Sequence, residues 1–133
     1  MPTYERFEDL PVWNEAIRLA EGCEDFLLAT KERITWSKRD QLDRCSLSVS
    51  NNIAEGFERG TTSELLHFLY IARGSAGESR SMLCYFERRP QLRDFKSQIN
   101  CRELLAAIAV LGRLSAKLGN PGSTAFERPI PEE

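Results

Sequence analysis

Two runs with an apolar residue at every third or fourth position are joined through a single short turn at Gly60-Thr61, and this spacing constrains the chain more than any other feature. Leu42, Cys45, Val49, Ile53 and Phe57 mark one face of a helix expected over about 37–59. Leu65, Phe68, Leu69, Ala72, Ala76, Ser79, Leu83 and Phe86 mark the next, over about 62–88, ending before Pro90. Gly60 suits a left-handed helix end, and Thr61 with Glu64 three residues on has the capping-box pattern that starts a new helix. So short a turn makes the two helices antiparallel neighbours.

A third helix is expected ahead of this hairpin, over about 10–29, with Val12, Ala16, Leu19, Cys23 and Phe26 on one face. Asp9 offers a cap there, and Pro11 sits in the first turn, where its missing N–H costs nothing. Ser37 with Asp40 resembles a second capping box, opening the helix that follows. The last helix is expected over about 91–118, with Cys101, Leu104, Ile108, Leu111, Ser115 and Leu118 inward and Gly119 and Pro121 as stop signals. Residues 120–133 read as a mobile, Pro-containing acidic tail, leaving 1–119 as one domain. No alternating strand pattern competes, so the fold class is all-α, an up-down-up-down antiparallel four-helix bundle.

The hairpin carries an unusual inner seam. Ser48-Val49-Ser50-Asn51-Asn52-Ile53-Ala54-Glu55-Gly56-Phe57 faces Tyr70-Ile71-Ala72-Arg73-Gly74-Ser75-Ala76-Gly77-Glu78, so small and polar residues fall where apolar ones are usual. Gly74 and Gly77 each cost about 1 kcal/mol against alanine inside a helix, which suggests close approach of a neighbouring helix. Pairing outward from the turn sets Ser48 beside Gly74, Asn52 near Tyr70, Arg44 near Glu78 and Glu55 near His67. Buried polar groups must be hydrogen-bonded, so Ser48, Asn52, Glu55, Arg73, Ser75 and Glu78 are expected to satisfy one another or helix ends and fix the register, with a ligand or catalytic pocket as the alternative.

These two segments, with Leu10-Pro11-Val12-Trp13, resemble the signature of the small bacterial four-helix-bundle proteins encoded within intervening sequences of 23S ribosomal RNA genes. The resemblance is specific over the second and third helices and reduces to an apolar pattern in the fourth. It implies a bundle without established catalytic activity that assembles into a ring-like homo-oligomer, a pentamer. It also implies kinship to accessory proteins of diversity-generating retroelements, which associate with a reverse transcriptase and nucleic acid. Two features agree with self-association. The first helix has a second apolar stripe, Trp13, Ile17, Ala20 and Leu27, and the fourth is apolar on every side from Leu104 to Leu111. Trp13, Ile17, Leu105 and Ala109 are the expected oligomer contacts.

Lys and Arg number 18 and Asp and Glu 20, a formal net charge of −2, which argues against a uniformly basic nucleic-acid binder. The charge is unevenly placed. In this topology the loop between the first two helices and the loop between the last two share one end. Lys31, Arg33, Lys38 and Arg39 against Glu32 give +3 in one loop, and Arg88, Arg89, Arg93 and Lys96 against Asp94 give +3 in the other. Glu5, Glu8, Asp9, Glu55, Glu58 and Glu64 gather at the opposite end. The eight cations are the candidate contacts to RNA or DNA phosphates, and Trp36 and Tyr85 lie nearby and could stack on bases. A solvated charged loop end is the plainer explanation of the same pattern.

Enzymatic readings find little footing. Glu64-Leu65-Leu66-His67 matches the Glu-x-x-His element of di-iron bundles, and Glu55 stands opposite, but His67 is the single histidine of the chain. Cys23, Cys45, Cys84 and Cys101 are widely spaced, without a Cys-x-x-Cys pair, and read as buried thiols. No phosphate-cradling loop or nucleophile elbow appears. No enzyme activity, metal or cofactor is therefore expected. The longest uncharged apolar run, Leu104 to Gly112, is far short of the roughly 20 residues that span a bilayer, and no signal pattern opens the chain, so a cytoplasmic location and no membrane partner are expected. The sequence reading is a homo-oligomeric, nucleic-acid-associated accessory or scaffold. Its alternative is a protein-interaction module docking through apolar faces of the first and fourth helices.

Overall fold

Three long helices carry most of the described part of the chain. The computed structural model describes residues 4–95, 112–114 and 116–117. A 3-10 turn over Phe7–Asp9 leads into α1 (Pro11–Ala29), followed by α2 (Trp36–Glu58), α3 (Thr62–Glu87) and a second 3-10 stretch over Pro90–Phe95. Residues 112–114 and 116–117 are also helical. Among the described residues there is no strand, and the fold is all-α. Cys101, Leu104, Ile108, Leu111 and Leu118, the stop signals after them and the tail lie outside the described residues.

The helix ends show which local signals act. Thr61 Oγ1 accepts from the Glu64 N–H at 3.2 Å, and Gly60 holds φ +90, the left-handed conformation that lets α2 stop and α3 start within three residues. Pro11 begins α1, but Asp9 does not cap it. Asp9 is absorbed into the preceding 3-10 turn, Leu10 takes the cap position, and Asn14 Nδ2 donates to the Glu8 and Leu10 carbonyls, both at 3.0 Å. Nor does Ser37 cap α2. The helix starts earlier, with Thr35 at the cap position and no side-chain cap bond, and Asp40 pairs with Arg44 at 3.1 Å instead. Where the last helix was expected to open, Pro90 starts a tighter 3-10 stretch held by Leu92 N–H to Arg89 O at 3.0 Å.

α2 packs antiparallel against both other helices. Ser48 Oγ meets Ser75 Oγ across the α2–α3 hairpin at 3.0 Å, while Arg39 at the start of α2 donates to the Leu27 carbonyl at the end of α1. The core is the stripe read from the periodicity, apart from the half-buried Phe68: Val12, Ala16, Leu19, Cys23 and Phe26 of α1, Leu42, Cys45, Val49, Ile53 and Phe57 of α2, and Leu65, Leu69, Ala72, Ala76, Leu83 and Phe86 of α3 are all buried. Leu27, expected on an outer stripe, is buried as well. Phe26 and Phe86 meet at 5.5 Å, closing the core at the end that carries the loop before α2.

The tight helix approach lies elsewhere than expected. Gly74 and Gly77 are exposed, and among the described residues nothing lies within 4 Å of where their Cβ would stand. Gly56 is the glycine the packing requires: a Cβ there would lie 2.6 Å from Phe68 Cβ and 3.3 Å from the Leu65 backbone. The polar seam is smaller than expected. Asn52 Nδ2 donates to the Ser48 carbonyl at 2.7 Å and to Ser48 Oγ at 2.8 Å, and Ser79 Oγ lies 2.9 Å from the Ser75 carbonyl and 3.2 Å from Cys45 Sγ. Glu55, Arg73 and Glu78 are exposed. Glu55 pairs with Arg59 at 3.1 Å and Glu78 accepts from Gln41 at 3.1 Å. Long charged side chains reach water from the hairpin's rim, so the seam keeps only its short members.

Candidate nucleic-acid interface

The loop of residues 30–35 and the start of α2 meet the end of α3 and the 3-10 stretch after it, because α2 and α3 run antiparallel. Thr30 is buried and donates from Oγ1 to the Phe26 carbonyl at 2.8 Å, turning the chain sharply as α1 ends. Ile34 then drops into the core, as Leu92 does from the other segment. With apolar residues anchoring both segments, their polar neighbours point outward around a shallow cleft.

That cleft is lined by Arg33, Ile34, Thr35, Lys38, Tyr85 and Arg89, with Phe86, Gln91 and Leu92 completing it. Arg33 Nη1 donates to the Gln91 carbonyl at 3.1 Å, tying together segments 58 residues apart. Lys38 Nζ sits 5.3 Å from the centre of the Tyr85 ring, and Tyr85 meets Phe86 edge-on at 5.6 Å. Three cations therefore line one opening. The N-terminus of α2 adds to the positive field there, since its first N–H groups lack a side-chain cap.

The expected basic residues separate into groups. Arg33, Lys38 and Arg89 line the cleft, and Lys31 and Arg88 stand exposed on the two segments that form it. Arg39 is only half-exposed and spends its guanidinium on the Leu27 carbonyl, closing the end of α1, with Nη1 buried and unpartnered among the described residues. Arg93 lies in the 3-10 stretch, and Lys96 is outside the described residues. Sequence reasoning did not single out Thr35 or Gln91. Thr35 could have been found as the polar residue next to the buried Ile34, whereas a backbone carbonyl acting as an anchor leaves no trace in residue types.

The other candidate residues lie away from the cleft or outside the described residues. Trp13 is half-buried with its ring 5.2 Å from Phe7, and Ile17 is half-buried; Leu105 and Ala109 lie outside the described residues. Glu64 and His67 are exposed, with the His67 ring edge-on to Phe68 at 5.4 Å. Among the described residues no group of three or more His, Cys, Asp or Glu side chains could hold a metal ion. Cys23 and Cys45 are buried thiols. Burial pushes Cys23 up from 9.0 to about 12, with Cys45 nearby acting in the same direction and the Ser46 hydroxyl opposing it, and burial raises Cys45 too. Protonated thiols of this kind are poor nucleophiles. No helix among the described residues is long and apolar enough to cross a membrane.

Comparison with known proteins adds one finding. Neither the curated proteins nor the solved structures contain a match to this chain. The family model described as 23S rRNA-intervening sequence protein matches residues 8–112, which takes in all three helices and both segments of the basic cleft. A match over that much of a 133-residue chain, on a helical fold whose hairpin carries the polar stretch of α2, places the protein in the 23S rRNA-intervening sequence protein family.

Proposed function

We propose that this protein is a non-enzymatic, homo-oligomeric accessory or scaffolding protein of the cytoplasm that holds RNA or DNA by its phosphate backbone. In this reading a fourth helix closes an up-down-up-down bundle, and the assembly is the pentamer that the family resemblance implies. One observation carries the proposal: Arg33, Lys38 and Arg89 converge on a single opening from segments far apart in sequence, with Lys31 and Arg88 beside it, although the whole chain is slightly acidic. Repeating that opening around a ring would multiply weak phosphate contacts into useful avidity.

The test is native mass spectrometry at low salt, followed by nucleic-acid binding across a salt series. A multimer that retains RNA or DNA, with affinity falling steeply as salt rises, is expected. Lys38, Arg88 and Arg89 reversed to glutamate should abolish binding with the fold intact; Arg39 is left in place because it closes α1. Unchanged binding by that triple variant would sink the proposal. Docking of a partner protein on the apolar faces of the first and fourth helices has less support, since Leu27 is buried and Trp13 and Ile17 are half-covered within the chain. Such docking would persist at high salt.

A further inference from the structure

We infer that the basic cleft takes the terminal phosphate of a nucleic-acid strand in preference to the phosphates along it, an inference that rests on the phosphate-binding reading and names the part of the strand bound. It stands on the size of the cleft and on the placing of its cations. The opening has a volume of about 60 Å³. Pockets that enclose an organic ligand run to roughly 300–1,000 Å³, whereas a single water needs only about 10–15 Å³. The cleft is therefore sized for a phosphate group and too small to enclose a sugar or a base. A phosphate inside a strand carries a sugar on two of its oxygens, and both sugars must stay outside so small an opening. A terminal phosphate carries one sugar and enters with three free oxygens foremost.

Charge points the same way. Arg33, Lys38 and Arg89 line this one opening, and among the described residues no acidic side chain does. Three positive charges exceed the single negative charge of a phosphodiester. They suit a phosphate monoester, which carries about −1.5 to −2 at pH 7 and offers three strong acceptor oxygens. Arg33 is braced for the task, since its Nη1 donates to the Gln91 carbonyl at 3.1 Å and so fixes the guanidinium plane. Lys38 holds its ammonium 5.3 Å from the centre of the Tyr85 ring, against an aromatic face and not a carboxylate. Lys31 and Arg88 stand exposed on the two segments that form the cleft, where they meet the next phosphates of a strand. A free nucleotide has no such phosphates, so the strand end is the better ligand.

The experiment is fluorescence anisotropy with the full-length protein and oligouridines of one length, labelled on a central base and bearing a 5′-phosphate, a 3′-phosphate or hydroxyls at both ends. A phosphorylated strand should bind about tenfold more tightly than the unphosphorylated one, the gain expected of charge-assisted hydrogen bonds. Lys38→Gln with Arg89→Gln should bring that ratio close to one. Lys31→Gln with Arg88→Gln, outside the cleft, should weaken all three strands and leave the ratio near tenfold. Circular dichroism of each double variant checks that the helices are retained. Unlabelled UMP should displace the phosphorylated strand only far above the strand's own Kd. Equal binding of the three strands, or a ratio lowered alike by both double variants, would overturn the terminal-phosphate inference and leave backbone binding standing. UMP competing as well as the strand itself would assign the cleft to free nucleotides and overturn the inference. Failure of every strand to bind would overturn backbone binding and the inference with it.

Discussion

Gly56 and Phe68 approach so closely that a Cβ on Gly56 would stand 2.6 Å from the Phe68 Cβ. Alanine favours a helix over glycine by about 1 kcal/mol, but here that gain is outweighed by overpacking of typically 1–3 kcal/mol. Gly56→Ala should therefore lower stability, by up to about 2 kcal/mol, in urea denaturation. Gly74→Ala and Gly77→Ala should raise it by roughly 0.5–1 kcal/mol each, since nothing among the described residues opposes their methyl groups. Loss of stability at Gly74 or Gly77 would mean that a surface from elsewhere packs there.

The turn between α2 and α3 depends on the Thr61 cap. Thr61→Ala should cost about 1 kcal/mol, and Thr61→Ser should retain most of that stability by keeping the hydroxyl that accepts from Glu64. Equal loss in both variants would show that the methyl group, rather than the cap, matters.

The serine pair should behave as a coupled unit. Ser48→Ala leaves Ser75 and Asn52 short of a partner and should cost about 1–2 kcal/mol, while Ser48→Ala with Ser75→Ala should cost less than the two single changes added together. A thermodynamic cycle with strictly additive losses would remove the inter-helix bond as a contributor.

Alkaline pH should weaken the fold through its buried thiols. In the unfolded chain Cys23 ionises near 9.0, while the folded protein keeps its proton until about 12. Its contribution is therefore full below pH 9 and is lost as pH rises from 9 toward 12, with Cys45 acting in the same direction. The urea midpoint should fall over that window, and Cys23→Ala, though less stable at neutral pH, should show a shallower fall. Labelling of Cys23 by a thiol reagent should be slow in the native state and fast in urea.

Periodicity alone exposed the core stripes of all three described helices, because each buried position recurs at the helical repeat. The glycine assignment failed for a reason the same repeat contains. Gly56 lies on the stripe of Ile53 and Phe57, whereas Gly74 stands roughly 200° around α3 from Ala72 and so faces away from the hairpin. Chain topology brought the basic residues to one end, but it could not separate Arg89, which lines the cleft, from Arg39, which serves α1. That choice depends on where a guanidinium finds a carbonyl, and residue types do not encode it. Glu55 was drawn into the seam by its position in the signature, while its length and a nearby Arg59 carried it to water.

The bond from Arg33 to the Gln91 carbonyl also sets a timetable. The α2–α3 hairpin is local in sequence and can form as soon as its own residues are available. The cleft, in contrast, requires Ile34 and Leu92 to be seated together, so a nascent chain shows no assembled basic end until synthesis has passed Leu92. During translation, helical structure comes first and the basic cleft only after it.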